Sequence, residues 1–195
     1  MATRLLTGDD GVTRCWWYGT DPIYVAYHDD DWGHPVTDER ELFEKLTLDG
    51  AQAGLAWITI LRKREGYRQA YEGFDPARIA AYGDKDVARL LADPGIVRNR
   101  QKVAASIANA QALLTMHEAG ETLSELVWSH QPKRKRTRLR DGDDFPATSP
   151  EGDALSKALQ QRGFKFVGPT IVYAFMQAVG VIDDHLTGCW RATKA

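Results

Sequence analysis

Cys15 and His28 near one end of the chain, and His185 and Cys189 near the other, restrict its folding more than any other residues. They read C-x12-H and H-x3-C, and the two cysteines are the only ones among 195 residues. Two pairs of soft ligands suit a tetrahedral zinc site with all four positions filled. About 155 residues lie between the pairs, so such a site would tie the two ends of the chain together rather than fold a small finger. A closed site has no position for a metal-bound water, so one zinc ion there would be structural and the chemistry would lie elsewhere. Spacing alone equally admits free buried thiols, or a Cys15–Cys189 disulfide beside two unrelated histidines.

The length fits one domain, and 43% hydrophobic residues with 10% aromatic are enough for a sizeable core. No apolar run approaches the roughly 20 residues that span a bilayer, and nothing resembles a signal peptide. Few cysteines and no disulfide framework fit a reducing cytoplasm. The net charge of −2 excludes a protein that binds nucleic acid by bulk electrostatics. Basic residues are nevertheless grouped, at Arg62-Lys63-Arg64, from Arg98 to Lys102, and as six of the eight residues 133–140. Such patches fit a partner touched at a few phosphates, although a solvated surface is their commoner meaning.

Residues 1–12 lack periodicity and are expected to form a loose arm before a single domain spanning residues 13–195. The remaining pattern is helical. Thr37 or Asp38 caps a helix through Leu42, Phe43, Leu46 and Leu48, and residues 56–71 continue as a second. Asp75-Pro76 opens a short helix, Asp84 or Asp86 opens another, and residues 98–118 form the longest. Shorter helices follow at 122–129, 152–161 and 170–179. No strand pattern of convincing length is present, so the fold class is all-α. Residues 133–145 break this order and are expected to form an exposed surface loop, facing either DNA or solvent.

Residues 86–107 place a tight turn around Gly95 between two amphipathic helices, the organisation of a helix-hairpin-helix spanning about 84–108. A glycine turn and the next helix's N-terminus can meet a phosphate, with Arg98, Arg100 and Lys102 adding charge. An ordinary helical corner has the same appearance. The first third of the chain is rich in rings, including Trp16, Trp17, Tyr24, Tyr27, Trp32 and Trp57. Clustered rings are most often core, and Asp49 beside Gly50 could be a local cap. A carboxylate facing a ring-lined cavity is also how a protein holds a flat, cationic base: the rings stack on it and the carboxylate accepts from its N–H edge.

Several motifs then recur together: R-C-x-W (14–17), D-P-x-Y-x-x-Y-H-D-x-x-W-G (21–33), Q-A-G-L-x-W-I-T (52–59) and F-D-P (74–76). S-K-A-L-x-x-R-G-F-K-F-V-G (156–168), F-M-Q-A-x-G (175–180) and D-H-x-x-G-C (184–189) complete the set. In this the chain resembles the DNA-3-methyladenine glycosylase I family, helix-hairpin-helix enzymes of base-excision repair. The resemblance implies zinc at Cys15, His28, His185 and Cys189, and a base pocket at Trp17, Tyr24, Tyr27 and Trp57. It implies that Leu55, beside Gly54 in the segment Gln52 to Leu55, is pressed into double-stranded alkylated DNA where the base was extruded.

The sequence departs from the family at Asp49, where glutamate is usual, and at Ala51, where a polar residue is expected. Aspartate reaches about 1.5 Å less far. The basic run 133–140 is also outside the family pattern. The resemblance implies a monomeric, monofunctional glycosylase that hydrolyses the bond to 3-methyladenine, with Asp49 as the catalytic carboxylate. No lysine is placed as a Schiff-base nucleophile, Lys165 being the least secure exclusion. A zinc-stabilised DNA-binding module without catalysis, needing no pocket, is the principal rival, and a zinc hydrolase is a weaker one.

Overall fold

Side-chain caps decide where most of the helices begin. Asp21, Asp38, Asp75, Asn99, Thr122 and Ser149 each accept a hydrogen bond from an N–H in the first turn that follows, satisfying donors a helix cannot pair internally. The computed structural model describes residues 3–134 and 136–192, among which there are ten α-helices. They are α1 (Pro22–Asp30), α2 (Glu39–Gln52), α3 (Trp57–Leu61), α4 (Arg64–Ala70) and α5 (Pro76–Ala80). Then come α6 (Asp84–Ala92), α7 (Arg100–Glu118), α8 (Leu123–Ser129), α9 (Pro150–Gln161) and α10 (Pro169–Ala178). The mostly helical class matches the sequence pattern.

Helix α2 runs through the middle of the molecule, with every residue from Leu42 to Ala51 buried. Leu42, Phe43, Leu46 and Leu48 share one core with Val103, Ala110 and Leu113 of α7 and with Val172 and Phe175 of α10. Each of these side chains larger than alanine contributes about 1.5–3 kcal/mol on burial. From its first turn α2 also steadies α8: the Glu39 carboxylate accepts from the N–H groups of Leu123 and Ser124, at 3.0 and 2.6 Å. A negative charge there complements the positive end of the helix dipole. No helix of the described residues is long and apolar enough to cross a membrane.

Four expectations are corrected. The described part of the N-terminal arm is not loose: β1 (Leu5–Thr7) pairs antiparallel with β2 (Thr13–Cys15), joining Leu5 to Cys15. The strands are three residues each, too short to carry a periodic signal. The helix expected at 56–71 is two helices, because Lys63 at φ −102° and ψ 0° tightens the ladder between them. The break sets Gly66 of α4 against the turn after α6, where a Cβ would stand 2.5 Å from the Gly95 carbonyl oxygen. The long helix begins at Arg100 rather than Arg98, because the Asn99 side chain accepts from Gln101 and Lys102 N–H.

The basic segment is pinned at several points rather than free. Arg136 donates to Asp184 at 2.8 Å and to the Tyr173 hydroxyl at 3.0 Å, and Arg138 lies 2.9 Å from Asp183. Thr187 N–H donates to the Leu139 carbonyl at 2.7 Å. Lys135 lies outside the described residues.

Candidate active site

Tyr24 and Tyr27, three residues apart, project from one face of α1 toward the N-terminus of α3, where Trp57 stands. Between them opens a cavity of about 310 Å³ walled by rings: Trp16, Trp17, Tyr24, Tyr27, Trp32, Trp57 and Phe145. The Trp17 ring meets Tyr24 at 5.4 Å and Trp32 at 5.0 Å, both edge-on, and Tyr27 lies 5.3 Å from Trp57. These are stable aromatic geometries, worth about 0.5–1.5 kcal/mol per pair beyond burial. Asp49, Gln52, Ala174 and Gln177 complete the lining. The four aromatic positions Trp17, Tyr24, Tyr27 and Trp57 are thus brought together.

Asp49 sits in the last turns of α2, 4% exposed, and its Oδ2 has no hydrogen-bond partner. It is therefore not the local cap that its position beside Gly50 allowed. Lys45, one turn earlier, is the nearest cation on the same helix, but its ammonium is taken by Asp31, which also holds Arg64. Burial pushes the Asp49 carboxyl up to about 8, opposed by Lys45 and reinforced by Asp31. The indole N–H of Trp57 is likewise buried without an acceptor. A buried polar atom without a partner costs about 1–3 kcal/mol. Two such atoms on one cavity form a site built for a guest that brings charge and a hydrogen-bonding edge. Ala51 faces elsewhere and does not line the cavity.

Beyond α2 the chain turns sharply through Gly54 at φ 76°, a conformation suited to glycine, and presents Leu55 to solvent at 40% exposure. Lys102, expected among the surface cations, points inward instead. Its ammonium donates to the carbonyls of Ala51 and Ala53, both at 2.7 Å, and so braces this turn. Arg98 and Arg100 are exposed at the start of α7. The Gly95 N–H is occupied internally, donating to the Asp93 carboxylate at 2.7 Å.

Three of the four ligand candidates from the chain ends also meet, and the fourth, His185, packs beside them. Ligand atoms of Cys15, His28 and Cys189 lie within 4.8 Å of one another, all buried, and the cysteines are free thiols. This removes the disulfide alternative. The His185 ring is 5.3 Å from that of His28, and Gly33 lets it approach: a Cβ there would be 2.7 Å from His185 Cε1. Each imidazole is held through Nδ1, His28 by Asp29 at 2.7 Å and His185 by Asp183 at 2.8 Å. That fixes both rings with Nε2 turned inward, and the His185 Nε2 is buried without a partner. The donor set fits a cation that prefers sulfur and nitrogen.

Sequence reasoning passed over Trp16, Gln52, Phe145, Ala174 and Gln177 as lining residues and left Trp32 without a site role. The W-G motif beside His28 could have marked Trp32, whereas Phe145, in a segment without pattern, gave no signal. Lys165 is outside the cavity, its main chain held by Asn109 through bonds of 2.6 and 3.1 Å.

A family model described as methyladenine glycosylase matches residues 17–192. The chain is 51% identical over 181 residues to DNA-3-methyladenine glycosylase 1 of Escherichia coli strain K12, covering 91% of this chain and 96% of that protein. It is 46% identical to the DNA-3-methyladenine glycosylase of Haemophilus influenzae, covering 91% and 97%. Among solved structures, a 3-methyladenine DNA glycosylase I superposes with a TM-score of 0.87 at 52% identity, over 91% of this chain and 98% of that one. A point variant of 3-methyladenine DNA glycosylase I in complex with 3-methyladenine superposes with a TM-score of 0.85 at 36% identity, over 91% and 96%.

Proposed function

The chain belongs to the methyladenine glycosylase family, and from that premise we propose that it excises 3-methyladenine from double-stranded alkylated DNA in base-excision repair. The observation that carries the reading is the unpaired, buried Asp49 carboxylate opening into a cavity of aromatic faces. A binding module without catalysis has no need of such a cavity. 3-Methyladenine in DNA bears a positive charge, which rings and a carboxylate favour and which neutral adenine lacks. The extruded base stacks against Trp57 and Tyr27, with Asp49 accepting from its N–H edge. Extrusion costs a few kcal/mol and least for a damaged base.

The chemistry asks little of the protein. The bond between the sugar C1′ and the base breaks, its electron pair neutralises the ring cation, and 3-methyladenine leaves without an added proton. Water then bonds to C1′ and loses a proton, leaving an abasic site. Ionised Asp49 stabilises the positive charge of the bound base and of the sugar as it develops. No lysine lines the cavity among the described residues, which supports hydrolysis without lyase activity.

Leu55 serves as the wedge in the duplex, with Gly54 shaping its turn and Lys102 bracing it. The turn around Gly95, read as a helix-hairpin-helix, brings exposed Arg98 and Arg100 to the phosphate backbone. Zinc bound by Cys15, His28, His185 and Cys189 ties the chain ends together, and four protein ligands confine it to a structural part. The orphaned His185 Nε2 supports that assignment. The protein acts as a monomer in the cytoplasm.

The test is chromatographic assay of free bases released from methylated duplex DNA by the wild type and by Asp49→Asn. Release of 3-methyladenine but not 7-methylguanine, weakened by the substitution, is expected. No release by a wild type that still binds DNA would overturn the reading.

A further inference from the structure

Trp16 and Phe145 form one wall of the cavity, although they come from opposite parts of the chain. Their ring centroids are 5.1 Å apart with planes at 59°, and Phe145 also reaches Trp32 at 6.5 Å. Both rings are half-buried, so surface remains for a guest. The pair is braced from outside, chiefly by Arg4. The Arg4 guanidinium lies over Trp16, 4.6 Å from its centroid, and forms an ion pair with Asp144, the neighbour of Phe145. The Arg4 main chain joins the same segments: its N–H donates to Asp141 at 2.5 Å and its carbonyl accepts from Trp16 N–H at 3.0 Å. Thr3 adds a hydroxyl bond to Asp141 at 2.9 Å. Pro146 restricts Phe145 to extended backbone.

Charge recognition by Asp49 and stacking on Trp57 are indifferent to the size of an alkyl group, because a longer alkyl leaves the ring just as flat and just as cationic. Discrimination by size needs a wall that does not retreat. We propose that the Trp16–Phe145 pair is that wall, a specificity determinant that limits the alkylated purine to a small substituent, with Arg4 as its positioning residue. This rests on the glycosylase reading given above. A pocket that resists one extra methylene discriminates by roughly 10- to 200-fold.

The test compares kcat/KM for release of 3-methyladenine and 3-ethyladenine from alkylated duplex DNA, with thermal melting of each protein alongside. The wild type is expected to prefer the methylated base roughly ten-fold or more. Phe145→Ala should bring the ratio close to one, and Phe145→Leu, which keeps an apolar filling, should give an intermediate ratio. Arg4→Ala should relax the ratio while the melting midpoint holds, and Arg4→Lys should restore part of it. If Phe145→Ala melts early, the leucine and Arg4 variants decide. An unchanged ratio in folded variants overturns the wall while the glycosylase stands. A wild type that releases neither base overturns both.

Discussion

The ring-lined cavity and the cysteine–histidine cluster are neighbours, sharing Trp17 and Trp32 as packing partners, yet they hold their buried polar side chains differently. At the cluster each imidazole is locked by an aspartate, and Asp29 is itself held by Arg14 and the Trp190 indole. Burial would raise the Asp29 carboxyl, but Arg14, His28 and Trp190 together bring it down to about 2. In the cavity the polar atoms of Asp49 and Trp57 are left alone, and the nearby cations are spent on Asp31 and Glu44. The cluster locks both ring Nδ1 atoms and leaves the His185 Nε2 open, whereas the cavity leaves the Asp49 carboxylate and the Trp57 indole N–H open. What separates the two regions is therefore how firmly the side chains that carry the open atoms are held.

The comparison breaks most readily at the cluster. Cys189→Ser, or a chelator that strips the zinc proposed for the cluster, should lower the melting midpoint by ~10 °C or more, since metal binding and folding are coupled. Calorimetry with and without chelator reads this, and a midpoint that ignores both changes would detach the cluster from stability. Next in size, Asp49→Asn should reduce kcat/KM on the order of 100-fold while leaving the fold intact. Its stability should even rise. The Asp49 carboxyl titrates near 8 in the folded chain against an ordinary 3.8, so the wild type loses stability as pH climbs from about 4 to 8. The asparagine variant escapes that loss, by a few kcal/mol at most, which denaturant melts at pH 5 and pH 8.5 would reveal.

The same carboxyl sharpens the comparison through catalysis. Only its ionised form can pair with a cationic base, so kcat/KM should climb with pH through a midpoint near 8 in the wild type and level off above it. In Asp49→Asn that limb should vanish; persistence of the limb would assign it to another group. Trp57→Ala should weaken binding of free 3-methyladenine roughly ten-fold in a calorimetric titration. The smallest effect is expected from Lys102→Met. Loosening the Leu55 turn should lower activity on duplex DNA only several-fold, with free-base affinity unchanged.

Much of this contrast was legible in the amino-acid order, for identifiable reasons. Asp38 and Asp75 announce helix starts because capping is local chemistry. The ligand pairs at 15, 28, 185 and 189 and the tyrosines three apart are likewise local spacings. What escaped depends on contacts across the chain. Two three-residue strands carry no period, and the inward path of Lys102 is set by carbonyls 49 and 51 residues away. The place of Phe145 in the cavity depends on Arg4, at the far end of the sequence. Asp49 could be named as a carboxylate facing rings, but its isolation could not, because that depends on where Lys45 and Arg64 go.

The junction of the chain ends has a temporal side. A ribosome adding roughly 5–20 residues per second makes Cys15 and His28 on the order of ten seconds before His185 and Cys189 emerge. Until then His28 has only Cys15 of the other ligand candidates beside it, and Trp32 lacks the His185 side of its packing. The cluster is thus completed long after its first half is made. A chain stopped before His185 carries the early ligand candidates and the rings of the cavity but lacks half of the cluster that joins its two ends.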